Sequence, residues 1–144
     1  MFIKFKTMIN FKQRYFSEEE KNIFLEYLGK LDGFLVRCKS LHWSAPKKSI
    51  HVYLDELHEI LGEYQDAIAE GYMGILGQMG PTDVVFRVSS STNAMDFIDE
   101  IIDTTKDFYN ALPDEIIYKG ISGEVESFIQ NCNKYKYLFS LAMN

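Results

Sequence analysis

Apolar residues recur at alternating steps of four and three through most of the chain, the spacing of one face of an α-helix. Phe24, Leu28, Leu31, Leu35, Cys38 and His42 form the first such stripe and predict a helix, α1, over about residues 17–44. Ser17-Glu18-Glu19-Glu20 predicts its start, with a hydroxyl at the N-cap and a carboxylate three residues on. Pro46 closes it. Ile50, Leu54, Leu57, Leu61, Tyr64, Ile68 and Ile75 predict α2 over about residues 49–79, stopped by Gly77, Gly80 and Pro81. Ile98, Ile101, Thr105, Phe108 and Leu112 predict α3 over about 93–112, with Asn93 as its N-cap and Pro113 after its end. Residues 113–123 hold Pro113, Gly120 and Gly123 and read as a loop with one short turn. Val125, Phe128, Cys132, Tyr135, Phe139 and Ala142 predict α4 over about 123–142. Four long helices with one apolar stripe each describe an all-α four-helix bundle, one domain over residues 17–144 behind a leader of residues 1–16.

Two features bear on how the helices connect. Gly29 and Gly33 each weaken α1 by roughly 1 kcal/mol relative to alanine, which points to a close approach of another segment. A helix over 49–79 is ~45 Å long, and the thirteen residues from Pro81 to Asn93 reach ~43 Å when extended. That stretch is long enough to run back along the bundle, leaving α2 and α3 parallel, and also serves as a slack loop between antiparallel neighbours. Val84, Val85, Phe86 and Val88 favour the packed crossover.

The 144 residues are 47% apolar, 25% charged and 15% aromatic, enough to bury one core. The 15 basic and 21 acidic residues give a net charge of −6, which argues against a protein that binds nucleic acid through a basic surface. The leader is the exception, with Lys4, Lys6, Lys12 and Arg14 and no acid. These are interleaved with Phe2, Ile3, Phe5, Ile9 and Phe11, so docking on its own bundle is favoured over contact with DNA phosphates. Cys38 and Cys132 fall inside the apolar stripes and read as buried, reduced thiols. No apolar run approaches the ~20 residues of a membrane span, and the lysines in Met1-Phe2-Ile3-Lys4-Phe5-Lys6 break up any signal peptide. The chain reads as soluble and cytoplasmic, with no membrane partner.

The candidate chemistry lies on a second stripe of α2. His51 and Asp55 are four apart, as are Asp66 and Glu70, so each pair shares a helical face. The eleven residues from Asp55 to Asp66 make close to three turns, which aligns the two pairs. Within one straight helix they are ~16 Å apart along the axis and form no single site. An antiparallel second copy solves this, because the pairs are equidistant from the midpoint between Ile60 and Leu61. His51 then meets the partner's Glu70 and Asp55 meets the partner's Asp66, twice over, as a two-fold interface requires. Gly62, near the centre, lets the backbones approach. Charged residues on a helix are usually a solvated face. Here three carboxylates facing one another would repel unless a cation joined them, and imidazole with carboxylates suits iron, manganese or zinc. His42, brought close by the short turn around Pro46, is the natural extra ligand. His58 reads as an exposed or supporting residue, and Trp43, the only tryptophan, as a core anchor.

These residues resemble the Dps-like mini-ferritin branch of the ferritin-like superfamily, the starvation-induced DNA-protecting proteins. The resemblance rests on Leu41-His42-Trp43 ending the first helix, His51-x3-Asp55, Asp66-Ala67-Ile68-Ala69-Glu70, and a glycine-rich stop at Pro81. Its specific part covers residues 38–81. It implies a ferritin-like bundle with a crossover between the second and third helices. It also implies a ferroxidase-type centre for a di-iron or mono-iron site, with His42, His51 and Asp55 from one subunit and Asp66 and Glu70 from its neighbour. The activity implied is oxidation of ferrous iron, usually by hydrogen peroxide, with zinc or manganese as substitute metals and a twelve-subunit shell storing ferric oxide. Three departures narrow this. His42 and His51 are only nine residues apart, residues 81–93 are too short and serine-rich for the family's short interface helix, and Gly71-Tyr72-Met73-Gly74 replaces the usual basic residues. A two-fold dimer that binds metal is therefore the firmer expectation, ahead of the shell and of a DNA-associated bundle without turnover.

Overall fold

The computed structural model describes residues 18–143. The leader and the Ser17 cap lie outside them. The order is α1 Glu18–Trp43, α2 Lys48–Leu76, α3 Ala94–Ala111, a 3-10 turn Ile116–Tyr118 and α4 Lys119–Ala142. There is no strand among the described residues, and no helix among them is long and apolar enough to cross a membrane. α1 packs on α2 and α3, and α4 packs on the same two, so the helices form a four-helix bundle with α1 and α4 on one diagonal. The stripes explain the packing. Phe24, Leu28, Leu31, Cys38, Ile50, Leu54, Leu57, Leu61, Ile68, Ile98, Ile101, Phe128 and Phe139 are all buried.

The two ends of the bundle settle the topology. Phe24 of α1 packs its ring against Tyr72, Phe108 and Tyr118, with centroids 5.3, 5.3 and 6.0 Å away. Leu41, Ile50, Asn93, Ala94 and Met143 line one recess at the opposite end. α2 and α3 therefore start at the same end and run parallel, and residues 77–93 travel back along the bundle. The packed crossover is the arrangement adopted.

It is held mainly through its main chain, with Val84 alone of its valines partly buried against the core. The Arg87 N–H donates to the Gly29 carbonyl at 3.1 Å. A Cβ at Gly29 or Gly33 would collide with the carbonyl of Val85 or Arg87, so both glycines form the groove that receives the segment. Val85, Phe86 and Val88 remain exposed, which corrects the expectation that they bury the crossover. Its far end is latched by polar contacts. Arg37 donates to the Ser89 carbonyl at 3.0 Å, and the Ser89 and Ser91 hydroxyls donate to Glu100 on α3 at 2.5 and 2.7 Å. Glu100→Ala removes both hydroxyl acceptors and is expected to lower stability by about 1–3 kcal/mol in urea unfolding. A midpoint equal to wild type would remove the latch.

Two boundaries differ from expectation. α2 ends at Leu76, not 79, because Gly77 adopts φ +94° and its N–H bonds back to the Met73 carbonyl at 3.0 Å. α4 starts at Lys119, not 123, so Gly120 and Gly123 are helical. Buried Tyr118 and Ile121 anchor that first turn, and their packing outweighs the roughly 1 kcal/mol that each glycine costs. Asn93 caps α3 as expected, accepting from the Asp96 N–H at 2.9 Å.

The core holds one polar link. The Tyr27 hydroxyl is 2.9 Å from both the Tyr64 hydroxyl and Thr105 Oγ1. Burial pushes the pKa of both tyrosines well above the ordinary phenol value, so both stay neutral. Cys38 and Cys132 are free and buried, with burial pushing each thiol up to about 12. No carboxylate is buried in the core among the described residues.

Candidate metal centre

His42 lies in the last turn of α1 and His51 in the first turn of α2. The turn through Pro46 folds one onto the other. The rings stack with centroids 3.7 Å apart and planes inclined by 22°. His42 Nδ1 lies 2.7 Å from the His51 carbonyl, and His51 Nδ1 lies 2.8 Å from the His42 carbonyl. A carbonyl only accepts, so each Nδ1 carries a hydrogen, which leaves Nε2 as the nitrogen of each ring that can bind a metal. Metal-binding histidines are commonly held in this way, with the outer nitrogen donating to a carbonyl so that the other can ligate. The sequence places these two residues close together, and the reciprocal lock is an addition from the fold.

Asp55 follows one turn after His51 and is exposed. Lys39 of α1 approaches it, Nζ to Oδ1 at 3.8 Å, with the two side chains 40% and 62% exposed. Such a solvated pair contributes little stability, about 0–1 kcal/mol, and yields readily to a stronger cation. Lys39 is a residue the sequence reading passed over. Its signal is its place three residues before His42, on the adjoining helical face. His58, two turns after His51, is half-buried. Burial is the main cause lowering its pKa, Lys39 and His42 add to the effect and Asp55 opposes it, so the neutral ring is favoured.

Asp66 and Glu70 are exposed further along α2. Their rise from Asp55 puts them about 16 Å or more along the axis, so the fold does not bring them to the histidines within one chain. Among the described residues no three histidine, cysteine or acidic side chains converge on a point that would hold a metal. The half that one chain does assemble, His42 and His51 with Asp55 beside them, has the donor set for a borderline divalent ion but too few ligands for tight binding.

The surroundings of this half-site are open. Trp43 is 73% exposed, which corrects its reading as a core anchor. Its neighbours Leu41 and Cys38 fill the core positions of that turn, and 100° per residue carries Trp43 to the outside. Gly62 meets open space where its Cβ would be, so nothing within the chain requires a glycine there. Compared with protein-family models, curated proteins and solved structures, the chain matches none.

Proposed function

We propose that this chain is a Dps-like, ferritin-type protein that oxidises ferrous iron at a centre shared between two copies. The observation that carries the reading is the His42–His51 lock. It leaves an imidazole nitrogen free on each ring at the end of a bundle in which, among the described residues, no histidine or carboxylate is fully buried. The remaining ligands come from the stripe that is symmetric about Ile60 and Leu61. In an antiparallel pair of α2 helices, Asp66 and Glu70 of one copy face His42, His51 and Asp55 of the other.

Iron is the substrate. Two ferrous ions give one electron each to hydrogen peroxide, and with two protons the products are two ferric ions and two waters. The carboxylates offset the growing positive charge as ferrous becomes ferric, and the histidines fix position while leaving places open for the oxidant. Zinc or manganese would occupy the same ligands without this turnover. Gly62, open on its own chain, supports the pairing by allowing two α2 backbones to approach closely.

The test is anaerobic addition of ferrous iron followed by peroxide, with ferric absorbance followed in wild type and in Asp66→Ala. Wild type is expected to bind and oxidise iron, and Asp66→Ala to fall to the rate of iron in buffer with its helical content unchanged. Equal traces for the two proteins sink the reading. Light-scattering mass separates a dimer, which oxidises, from a twelve-subunit shell, which also stores mineral.

A further inference from the structure

The turn that carries the histidine lock is tied to the far side of the bundle. α2 and α4 pack antiparallel as a ladder. Tyr64 stacks on Phe128, the Tyr135 hydroxyl donates to Glu56 at 3.1 Å, and Tyr53 meets Phe139 edge-on. The last rung lies just outside the helix. Lys47, the N-cap residue of α2, donates from Nζ to the Ala142 carbonyl at 2.6 Å. That carbonyl is among the last four of α4, which a helix leaves without intrahelical partners, and a basic group there meets the negative end of the helix dipole. Lys47 also acts through its main chain. Its carbonyl accepts from the His51 N–H at 3.0 Å, the bond that opens α2. Its side chain makes no cap on α2. A helix start without a side-chain cap is the weaker for it, and the turn that would fray here is the one carrying His51. Met143 adds to the contact from α4, lining one recess with Leu41, Pro46 and Ile50.

We infer that Lys47 is a positioning residue for the metal centre. Its bond to Ala142 holds the first turn of α2 against the end of α4, and with that turn the reciprocal bonds between His42 and His51. The inference rests on the metal-binding reading above and adds to it a residue whose side chain points to α4 instead of to the ligands. Charge alone makes the opposite prediction, and this fixes the sign of the test. A cation one helical turn from His51 repels an incoming divalent ion. If Lys47 acted only through its charge, its loss would tighten metal binding. If Lys47 holds the turn, its loss loosens the two rings and weakens metal binding, because a ligand held in place by its outer hydrogen bond gives up less freedom when it binds.

Lys47→Met keeps the aliphatic stem and removes the donor, and Lys47→Arg keeps a donor of similar reach. Both are compared with wild type in the full chain by two measurements. Imidazole nitrogen shifts, taken at about pH 8, above the ordinary histidine range, report which ring nitrogen carries the hydrogen. Calorimetric titration with zinc alone reports metal affinity. Wild type is expected to show both His42 and His51 protonated at Nδ1. Lys47→Met is expected to move both rings toward the tautomer mixture of a free histidine, and to speed exchange of the His51 amide and weaken zinc by about fivefold each. Lys47→Arg is expected to restore all three. Wild-type ring shifts and zinc affinity in Lys47→Met, or tighter zinc binding in it, overturn the inference and leave the metal centre standing. Rings that loosen in Lys47→Met and recover in Lys47→Arg support it whether or not zinc binds. If wild type then takes up no zinc, the metal-binding reading falls and the role of Lys47 in holding the turn remains. Wild-type rings already in mixed tautomers overturn both.

Discussion

An equimolar mixture of Asp55→Ala and Asp66→Ala chains, allowed to exchange subunits, is expected to oxidise ferrous iron at about a quarter of the wild-type rate per chain, although each variant alone is inactive. The reasoning follows from which copy supplies which ligand. In either homodimer both centres lack a carboxylate. In the mixed dimer one centre combines both defects. The other takes His42, His51 and Asp55 from the Asp66→Ala chain, and Asp66 and Glu70 from the Asp55→Ala chain, and is intact. Random exchange makes about half the dimers mixed, each with one working centre of two. The measurement is ferric absorbance after peroxide, before and after exchange. Recovery is large against a baseline of zero, and no arrangement confined to one chain produces it. A mixture as inactive as its components removes the shared centre. Activity in either variant alone removes the ligand assignment.

The second large effect concerns the groove. Gly33→Ala is expected to lower the unfolding free energy by about 2–3 kcal/mol, even though alanine favours helix by roughly 1 kcal/mol. A Cβ at Gly33 would strike the carbonyl oxygen and carbon of Arg87. Both belong to a main chain tied down by the Arg37 and Glu100 contacts on one side and Gly29 on the other. Neither the helix nor the crossover can yield without losing those bonds. Gly62 makes the contrast, since its Cβ position is open. Gly62→Ala is therefore expected to raise the stability of the isolated chain while crowding the dimer. Urea midpoints measure both. A Gly33→Ala protein as stable as wild type would mean that the crossover does not lie in this groove.

Much of this architecture was legible in the sequence because burial imposes a period. Ile50, Leu54, Leu57, Leu61, Tyr64 and Ile68 identify the buried face of α2 without knowledge of any neighbour. Gly29 and Gly33 signalled a close approach, and Gly77 the end of α2. What the period does not carry is direction off the stripe. Trp43, Val85 and Val88 are apolar yet outward, since their surroundings depend on main-chain contacts between distant segments. The start of α4 was missed because Tyr118 and Ile121 pack against α1 and α2, a tertiary gain that overrides the local cost of two glycines. The site divides in the same way. His42 and His51 are nine residues apart across one turn, so their meeting is local. Asp66 and Glu70 stand on the right face, and their meeting with the histidines depends on a second copy.

The crossover also sets an order of events during folding. α1 with α2, and α3 with α4, are helical hairpins joined by short turns, and contacts between near neighbours in sequence form quickly. The Gly29–Gly33 groove exists only once α1 is helical, so residues 84–91 settle after it. Until then Val84-Val85-Phe86-Arg87-Val88, the stretch of the described chain with the strongest strand-forming composition, is free on both edges. That interval is when the protein is most prone to aggregate. By accepting the segment, Gly29 and Gly33 are expected to shorten that interval as well as to pack it.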